Sequence, residues 1–485
     1  MPRRTPHVPV AALFATFLAA AALAADHAGD AADAAAGTLA HEIFKQLIEI
    51  NTTDSAGSVT AAAEAVAQRF RAAGFPAADV SVLGPNDRKK NLLVRLRGTG
   101  EHRPVLLIGH LDVVEARRED WSTDPFKLIE KDGYFYGRGT LDMKSGAAIM
   151  AATLLRLKQE GYRGTRDIIL ALTADEENGC CNGVEWLVHN HRELIDAEFV
   201  LNHDGLVGYS ITSEHGVPQE FAFSATEKMY GDYQLTVTNP GGHSSLPRSD
   251  NAIYQLAAGL LRIGRYSFPV ELNEVTRAYF ERMAKARSGE LAADMRAIVR
   301  NPGDAQAVAR LSREPDLNAL MRTTCVATRL EGGHSNNALA QRATAVVNCR
   351  ILPGHSKEEV RKELIRVLDD PAITVRYVAD DGAVSDSAPE QRALAPSPLL
   401  PQVLKPLEST VAAIWPGLPV VPFMNAGATD GIHTRAAGLP TYGVAGIAVD
   451  RNDMHAHGRD ERVRVAAFYR GNEFFYRYLK ALTAD

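Results

Sequence analysis

Little in this 485-residue chain suits a nucleic-acid partner. Lys and Arg (53) are outnumbered by Asp and Glu (59), the net charge is −6, and no basic footprint exists to neutralise phosphates. Cysteine is scarce: four residues, two of them adjacent (Cys180, Cys181), with no C-x-x-C spacing that would build a cysteine metal site. No H-E-x-x-H occurs, so a zinc protease site on a single helix is absent. Neither G-x-S-x-G nor S-x-x-K occurs, which removes the serine nucleophile elbow and the lactamase-type site. "GRGTLDMKSG" (137–146) has glycines like a phosphate loop, but Met143 stands where that loop needs glycine before its lysine. There is no internal repeat, and beyond the first residues no apolar run is long enough to span a bilayer.

What remains is an ordinary globular balance, 46% hydrophobic and 23% charged, in a length that suits two or three domains. Residues 1–24 carry Arg3 and Arg4, an apolar middle and "ALA" at 22–24. That order predicts a secretory signal cut after Ala24, and an exported mature protein with no membrane attachment. Export permits disulfides. Cys325 and Cys349 fall on two predicted strands, where either a bridge or packed free thiols fit.

Helical patterns at 38–50 and 59–74 lead into strands at 91–98, 104–110, 167–174 and 198–204, interleaved with helices at 145–159 and 183–193. Apolar runs separated by helices predict an α/β fold with a mainly parallel sheet. Near 228 the pattern changes. A half-exposed strand, a helix at 250–264, strands at 323–330 and 343–352, a helix at 356–369 and a strand at 373–378 follow β-α-β-β-α-β order. That order builds a small ferredoxin-like α+β unit, interrupted by a polar helical stretch at 272–320. The predicted division is a signal at 1–24, a catalytic domain in two parts (25–227 and 381–485), and an inserted domain at 228–380.

Ligands of open α/β sheets gather at the carboxyl ends of strands. Those positions hold His110 and Asp112 after "VLLIG", then Asp175, Glu176 and Glu177 after "IILALTA", then Asp204 after "EFVLNH". Asp142 lies in the Gly-rich turn between the first two. Left unneutralised, so many acids would repel strongly at low dielectric. A divalent cation removes that cost, and imidazole plus carboxylate ligands suit zinc, with manganese or cobalt as alternatives.

Taken in order, "LLIGHLDVV", "GRGTLDMKSG", "DEENG" and "GGHSSLP" resemble the co-catalytic di-zinc metallopeptidases and deacylases. That family includes glutamate carboxypeptidase, carnosinase-type dipeptidases, aminoacylase and succinyl-diaminopimelate desuccinylase. The resemblance covers nearly all of the chain after residue 24. It implies that two Zn2+ (or Co2+ or Mn2+) are held by His110, Asp142, Glu177, Asp204 and His457. His203 is the rival of Asp204, and His455 of His457 in "HGRDE". It implies that Asp112 orients His110, that Asp142 bridges the metals, and that Glu176 is general base toward a metal-bridging water. His243 of "GGHSS" would stabilise the oxyanion, often across a homodimer formed through the inserted lid/dimerisation domain. Arg350 of "CRILPG" would bind a substrate carboxylate, and Asn337 of "GGHSNNALA" would share that cleft, although Ala340 replaces the usual proline. "NAGATDG" (425–431) resembles a Gly-x-Thr-Asp turn supporting the pocket.

The function implied is an exported zinc hydrolase that cleaves a peptide amide beside a free carboxylate, as a carboxypeptidase or dipeptidase does. The alternative is an N-acyl-amino-acid deacylase. A non-catalytic metal-stabilised binding protein is the remote third reading, and Glu176 argues against it, since such a protein needs no base.

Overall fold

The computed structural model describes residues 33–177, 181–204, 211–214, 217–379, 381–390, 394–450 and 452–484. The predicted leader, 1–24, lies outside them. Among the described residues no helix is long and apolar enough to cross a membrane.

The central sheet is built from runs that are apolar on both faces. Along His102–His110, Val105 and Leu107 enter one core while Leu106 and Ile108 enter another. Ile168 and Leu170 alternate with Ile169 and Ala171 in the same way. Burial on both faces is why these strands read as continuous hydrophobic runs. Helices 33–48, Val59–Ala72, Lys144–Gln159, Pro401–Ile414 and Val465–Leu482 cover the larger core, and Gly183–Asn190 covers the other. In the sheet's centre His102–His110 lies between Arg166–Thr173 and Phe199–Asn202, parallel to both. Register pairs His110 with Thr173 and Ile108 with Asn202. His110, the acidic turn after Thr173 and Asp204 therefore leave the sheet at one edge.

The second unit is a five-stranded antiparallel sheet. Thr324–Gly332, Arg342–Ile351, Met229–Thr238 and Thr374–Val378 lie in that spatial order, followed by the short Val384–Ser385. This is the ferredoxin-like order. Tyr233, Leu235 and Val237 alternate into a core shared with Leu256 and Leu364 of the helices Ala252–Arg265 and Lys357–Leu368. The latter helix starts with a capping box between Ser356 and Glu359. Cys325 and Cys349 stand directly opposite each other in the antiparallel register and are joined as a disulfide.

The 272–320 stretch resolves into four helices, Glu274–Ala286, Gly289–Arg300, Ala305–Leu311 and Pro315–Met321. Phe280, Met283 and Leu320 bury against Ala222, Val421 and Met424 of the central sheet. The insertion thus packs on the ten-stranded sheet.

Candidate metal centre and active site

Each acid of the cluster is delivered by a different local device. Asp142 sits in a turn that contains Gly139 at φ 88°, a left-handed conformation open to glycine. Behind the turn Lys144, fully buried, donates to the carbonyls of Leu47 and Ile50 at 2.9 Å each. The amine adds a donor to carbonyls at the end of helix 33–48, one of which, Leu47, also accepts from Ile50 N–H at 3.3 Å. Glu461, also fully buried, fixes the turn from the far end of the chain. Its carboxylate accepts from Arg138 Nη1 (2.6 Å) and from the backbone N–H groups of Gly139, Leu141 and Asp142 (3.2, 2.8 and 2.9 Å).

The acidic turn has its own anchors. Asp112 accepts from the backbone N–H of Glu176 (3.2 Å) and of Glu177 (3.0 Å). Asp112 thus ties the acidic turn to the H-x-D segment. The Nδ1 atom of His110 meets the main-chain oxygen of Asp112 at 3.0 Å, while the Asp112 carboxylate stands 3.7 Å away and is committed to the turn. A carbonyl can fix a ligand imidazole as well as a carboxylate does.

The other face of His110 makes the contact that defines the site, Nε2 to Asp142 Oδ1 at 3.0 Å. Ligand atoms of His110, Asp142 and Glu177 all lie within 4.8 Å of one another. His457, held at φ 61°, brings its Nε2 to 3.1 Å from both Asp142 Oδ2 and Glu177 Oε1. His455 instead pairs with Asp453 at 3.2 Å. Asp204 is buried and lines the same cleft, outside that tight group. The ring of its neighbour His203 packs 5.2 Å from Phe475, with neither nitrogen hydrogen-bonded among the described residues.

Charge balance shows what this donor set lacks. Burial pushes the Glu176 carboxyl well above its ordinary range, and the charges of Asp204, Asp430 and Glu177 add to the rise against the opposing His110. Asp204 is raised well above its range by the same burial and by Asp142, and burial also raises Glu177. Burial disfavours a charged His110, yet the bond to Asp142 and the charges of Asp112, Asp142 and Glu176 outweigh it and hold the imidazole pKa high. The bonds to Asp142 and Glu177 push His457 up to about 10. Asp142 goes the other way: despite its burial, its carboxyl is held well below the usual range by His110 and His457, so the acids of the cluster compete for the two imidazoles. Two imidazoles, His110 buried and His457 reaching in from the exposed side, converge with several carboxylates and fit a divalent cation of the zinc type.

The cleft has a volume of about 880 Å³ and is lined by Asp142, Glu176, Glu177, Asp204 and His457 from the central unit and by Arg350 and Lys357 from the small one. Arg350 lies 4.9 Å over the Tyr230 ring, and among the described residues no carboxylate pairs with it. Asp430 of the "NAGATDG" turn is buried and accepts from Asn182 Nδ2 (2.6 Å) and Thr173 Oγ1 (3.1 Å), so it supports the floor. A separate groove of about 1050 Å³, beside Arg282 and Trp415, contains none of these acids.

His243 and Asn337 are not brought to the cleft. They sit together on an exposed two-stranded ribbon, where His243 pairs in register with Ala338 and the Asn337 carbonyl accepts from Ser244 N–H at 3.0 Å. Sequence reasoning missed Glu461, Arg138 and Lys89. Glu461 closes the "HGRDE" motif and was there to be found. Lys89 gave no signal, because its partner Asp175 is 86 positions away.

The chain matches the model of a family described as Peptidase family M20/M25/M40 over residues 106–481. A probable carboxypeptidase S-like 2 of Dictyostelium discoideum is 28% identical over 398 residues, 80% of this chain and 74% of that protein. An N-fatty-acyl-amino acid synthase/hydrolase of Xenopus tropicalis is 27% identical over 395 residues, 79% of this chain and 73% of the relative. Among solved structures, an M20 family metallo-carboxypeptidase from Sulfolobus solfataricus shares the fold with a TM-score of 0.65 at 17% identity, covering 92% of this chain and 99% of that one. Human carnosine dipeptidase 1 does so with 0.63 at 15%, covering 94% and 98%.

Proposed function

This chain belongs to peptidase family M20/M25/M40, and from that premise we propose that it is an exported, metal-dependent hydrolase cleaving a peptide amide beside a free carboxylate, in the manner of a carboxypeptidase or dipeptidase. One observation carries the reading. Glu176, a carboxyl whose affinity for protons is raised by burial, stands beside a compact imidazole–carboxylate cluster, with Arg350, which no carboxylate pairs among the described residues, in the same cleft. His110, Asp142, Glu177, Asp204 and His457 would hold two zinc ions, with cobalt or manganese as substitutes. Divalent cations so held supply Lewis acidity toward water and an amide carbonyl.

The rest falls to the chain's own groups. Glu176 takes a proton from the attacking water and returns it to the leaving amine, a task suited to a carboxyl with a raised pKa. Arg350 clamps the substrate carboxylate through its guanidinium fork, which sets the distance from that carboxylate to the scissile bond. His243 and Asn337, remote from the cleft of their own chain, serve the site of a second copy in a homodimer. The segments 25–227 and 381–485 form the catalytic domain, and 228–380 the inserted one.

A second reading, hydrolysis of N-acyl amino acids, is favoured by the apolar side of the cleft, where Val188, Met229, Ile432 and Met454 could receive an acyl chain. A panel of dipeptides and N-acyl amino acids, assayed after chelation and again after zinc, cobalt or manganese is restored, tests both. Activity is expected only with metal, and Glu176→Ala is expected to keep its metal but lose about a hundredfold in turnover. Chelator-resistant hydrolysis, or full turnover by that variant, contradicts the reading.

A further inference from the structure

The turn 175–177 must send two adjacent carboxylates to different tasks, and its backbone is held in an unfavourable conformation to do so. Asp175 has φ 65° and is fully buried, in the left-handed region that non-glycine residues adopt only when their surroundings hold them there. The Asp112 carboxylate holds the N–H groups of Glu176 and Glu177, and the anchors around Asp175 itself are mostly neutral. Ala174 N–H donates to Asn91 Oδ1 at 2.9 Å, Gly183 N–H to the Ala174 carbonyl at 2.7 Å, and Cys181 N–H to Asp175 Oδ2 at 2.8 Å. The remaining carboxylate oxygen of Asp175 meets Lys89 Nζ in a buried ion pair. Lys89 itself is 7% exposed and also holds Asp54 at 2.6 Å. The loop carrying Asp54 is fastened in turn to the H-x-D segment, through Thr52 Oγ1 donating to the Leu111 carbonyl at 2.7 Å.

We propose that Lys89 is a positioning residue: through Asp175 it locks the turn so that Glu176 stays aimed into the cleft and Glu177 at His457. The proposal rests on the reading of Glu176 as base and Glu177 as ligand. Asp175 carries an uncompensated negative charge next to two further carboxylates once Lys89 is removed, and the turn loses the cation that fixes its first residue, keeping the Asp112 carboxylate on the Glu176 and Glu177 N–H groups. The turn then relaxes, and both glutamates shift together.

The test uses the zinc-loaded full chain and four variants: Lys89→Met, Asp175→Asn, their combination, and Lys89→Arg. Asparagine tolerates the left-handed conformation and can still accept from Cys181, so it isolates the charge. A displacement of the base by about an ångström predicts a fall in kcat of about a hundredfold with KM little changed. Competition against a chromophoric chelator, independent of turnover, should show zinc affinity weakened by about tenfold or more, as for loss of a ligand-supporting contact. The double variant should lose no more than either single one, and Lys89→Arg should recover most of the loss. If Lys89→Met does not fold, the double variant, which leaves no buried unpaired charge, is read in its place. A pair that merely stabilises the fold would lower the melting temperature yet leave kcat and zinc affinity unchanged, and that result overturns the proposal, as do additive losses. Should Glu176→Ala prove fully active while Lys89→Met still weakens zinc, the base assignment fails and the clamp stands.

Discussion

Between Asp142 and Glu177, the His457 imidazole makes two contacts of 3.1 Å. The bonds to those two acids push its pKa up to about 10. The cation-free protein therefore carries a proton on the nitrogen that a metal ligand must leave bare. Loading zinc near neutral pH has to displace it. Affinity should accordingly rise with pH until about 10, and for each displaced proton it should fall about tenfold per unit of acidification below that. Calorimetry of zinc binding in two buffers of different ionisation enthalpy measures the release directly. A heat that does not depend on the buffer would remove His457 from the ligand set. Most residues of this cluster were legible in the sequence because strand ends in an α/β sheet are few and three of them, with the Gly-rich turn of Asp142, carried acids or imidazole, whereas His457 came from the family resemblance. The atoms were not. Which oxygen of Asp112 meets His110 depends on the turn 175–177 claiming its carboxylate, and that turn comes 64 residues later in the chain.

Among elements, the turn 137–143 depends most on a remote partner. Glu461 gathers three backbone N–H groups and the Arg138 guanidinium, and both side chains are buried. Glu461→Ala would leave Arg138 buried and unpaired, a loss expected to cost about 3–5 kcal/mol. Denaturant unfolding should show that drop. Arg138→Met combined with Glu461→Ala should recover part of it, because no lone charge remains. A drop below about 1 kcal/mol, the scale of an exposed pair, would show that the turn holds without Glu461. The sheet strands were readable at this scale because both faces are buried. The four helices at 272–320 were readable as helices, yet not in place, since nothing local says that Phe280 and Met283 pack on Val421 and Met424. In the three-stranded ribbon of Ile129–Lys131, Tyr134–Tyr136 and Arg462–Arg464, the third strand joins from more than 300 positions away, while the first two form a local hairpin that the sequence reading did not pick out.

At the scale of the whole molecule, one chain leaves two features without a use. The edge strand Thr324–Gly332 exposes Val326 (61%) and Leu330 (66%), and the helix Ala252–Arg265 exposes Tyr254 (73%) and Leu261 (59%). Long bare edges with apolar side chains invite pairing. His243 meanwhile stands exposed on its ribbon, absent from the lining of its own cleft. A two-fold dimer through the small sheet would answer both, since a closed symmetric pair gives each cleft the other chain's ribbon. His243→Ala is then expected to lower turnover with its metal still bound, and Glu176→Ala to be inactive for the separate reason given above. Co-refolding the two in equal amounts should restore activity, because a mixed dimer owns one complete site, and random pairing predicts about a quarter of the wild-type rate. Leu330→Asp should yield a monomer by light scattering and abolish that rescue. If the mixture stays inactive while dimers form, His243 does not act across the interface and its ribbon belongs to the surface alone.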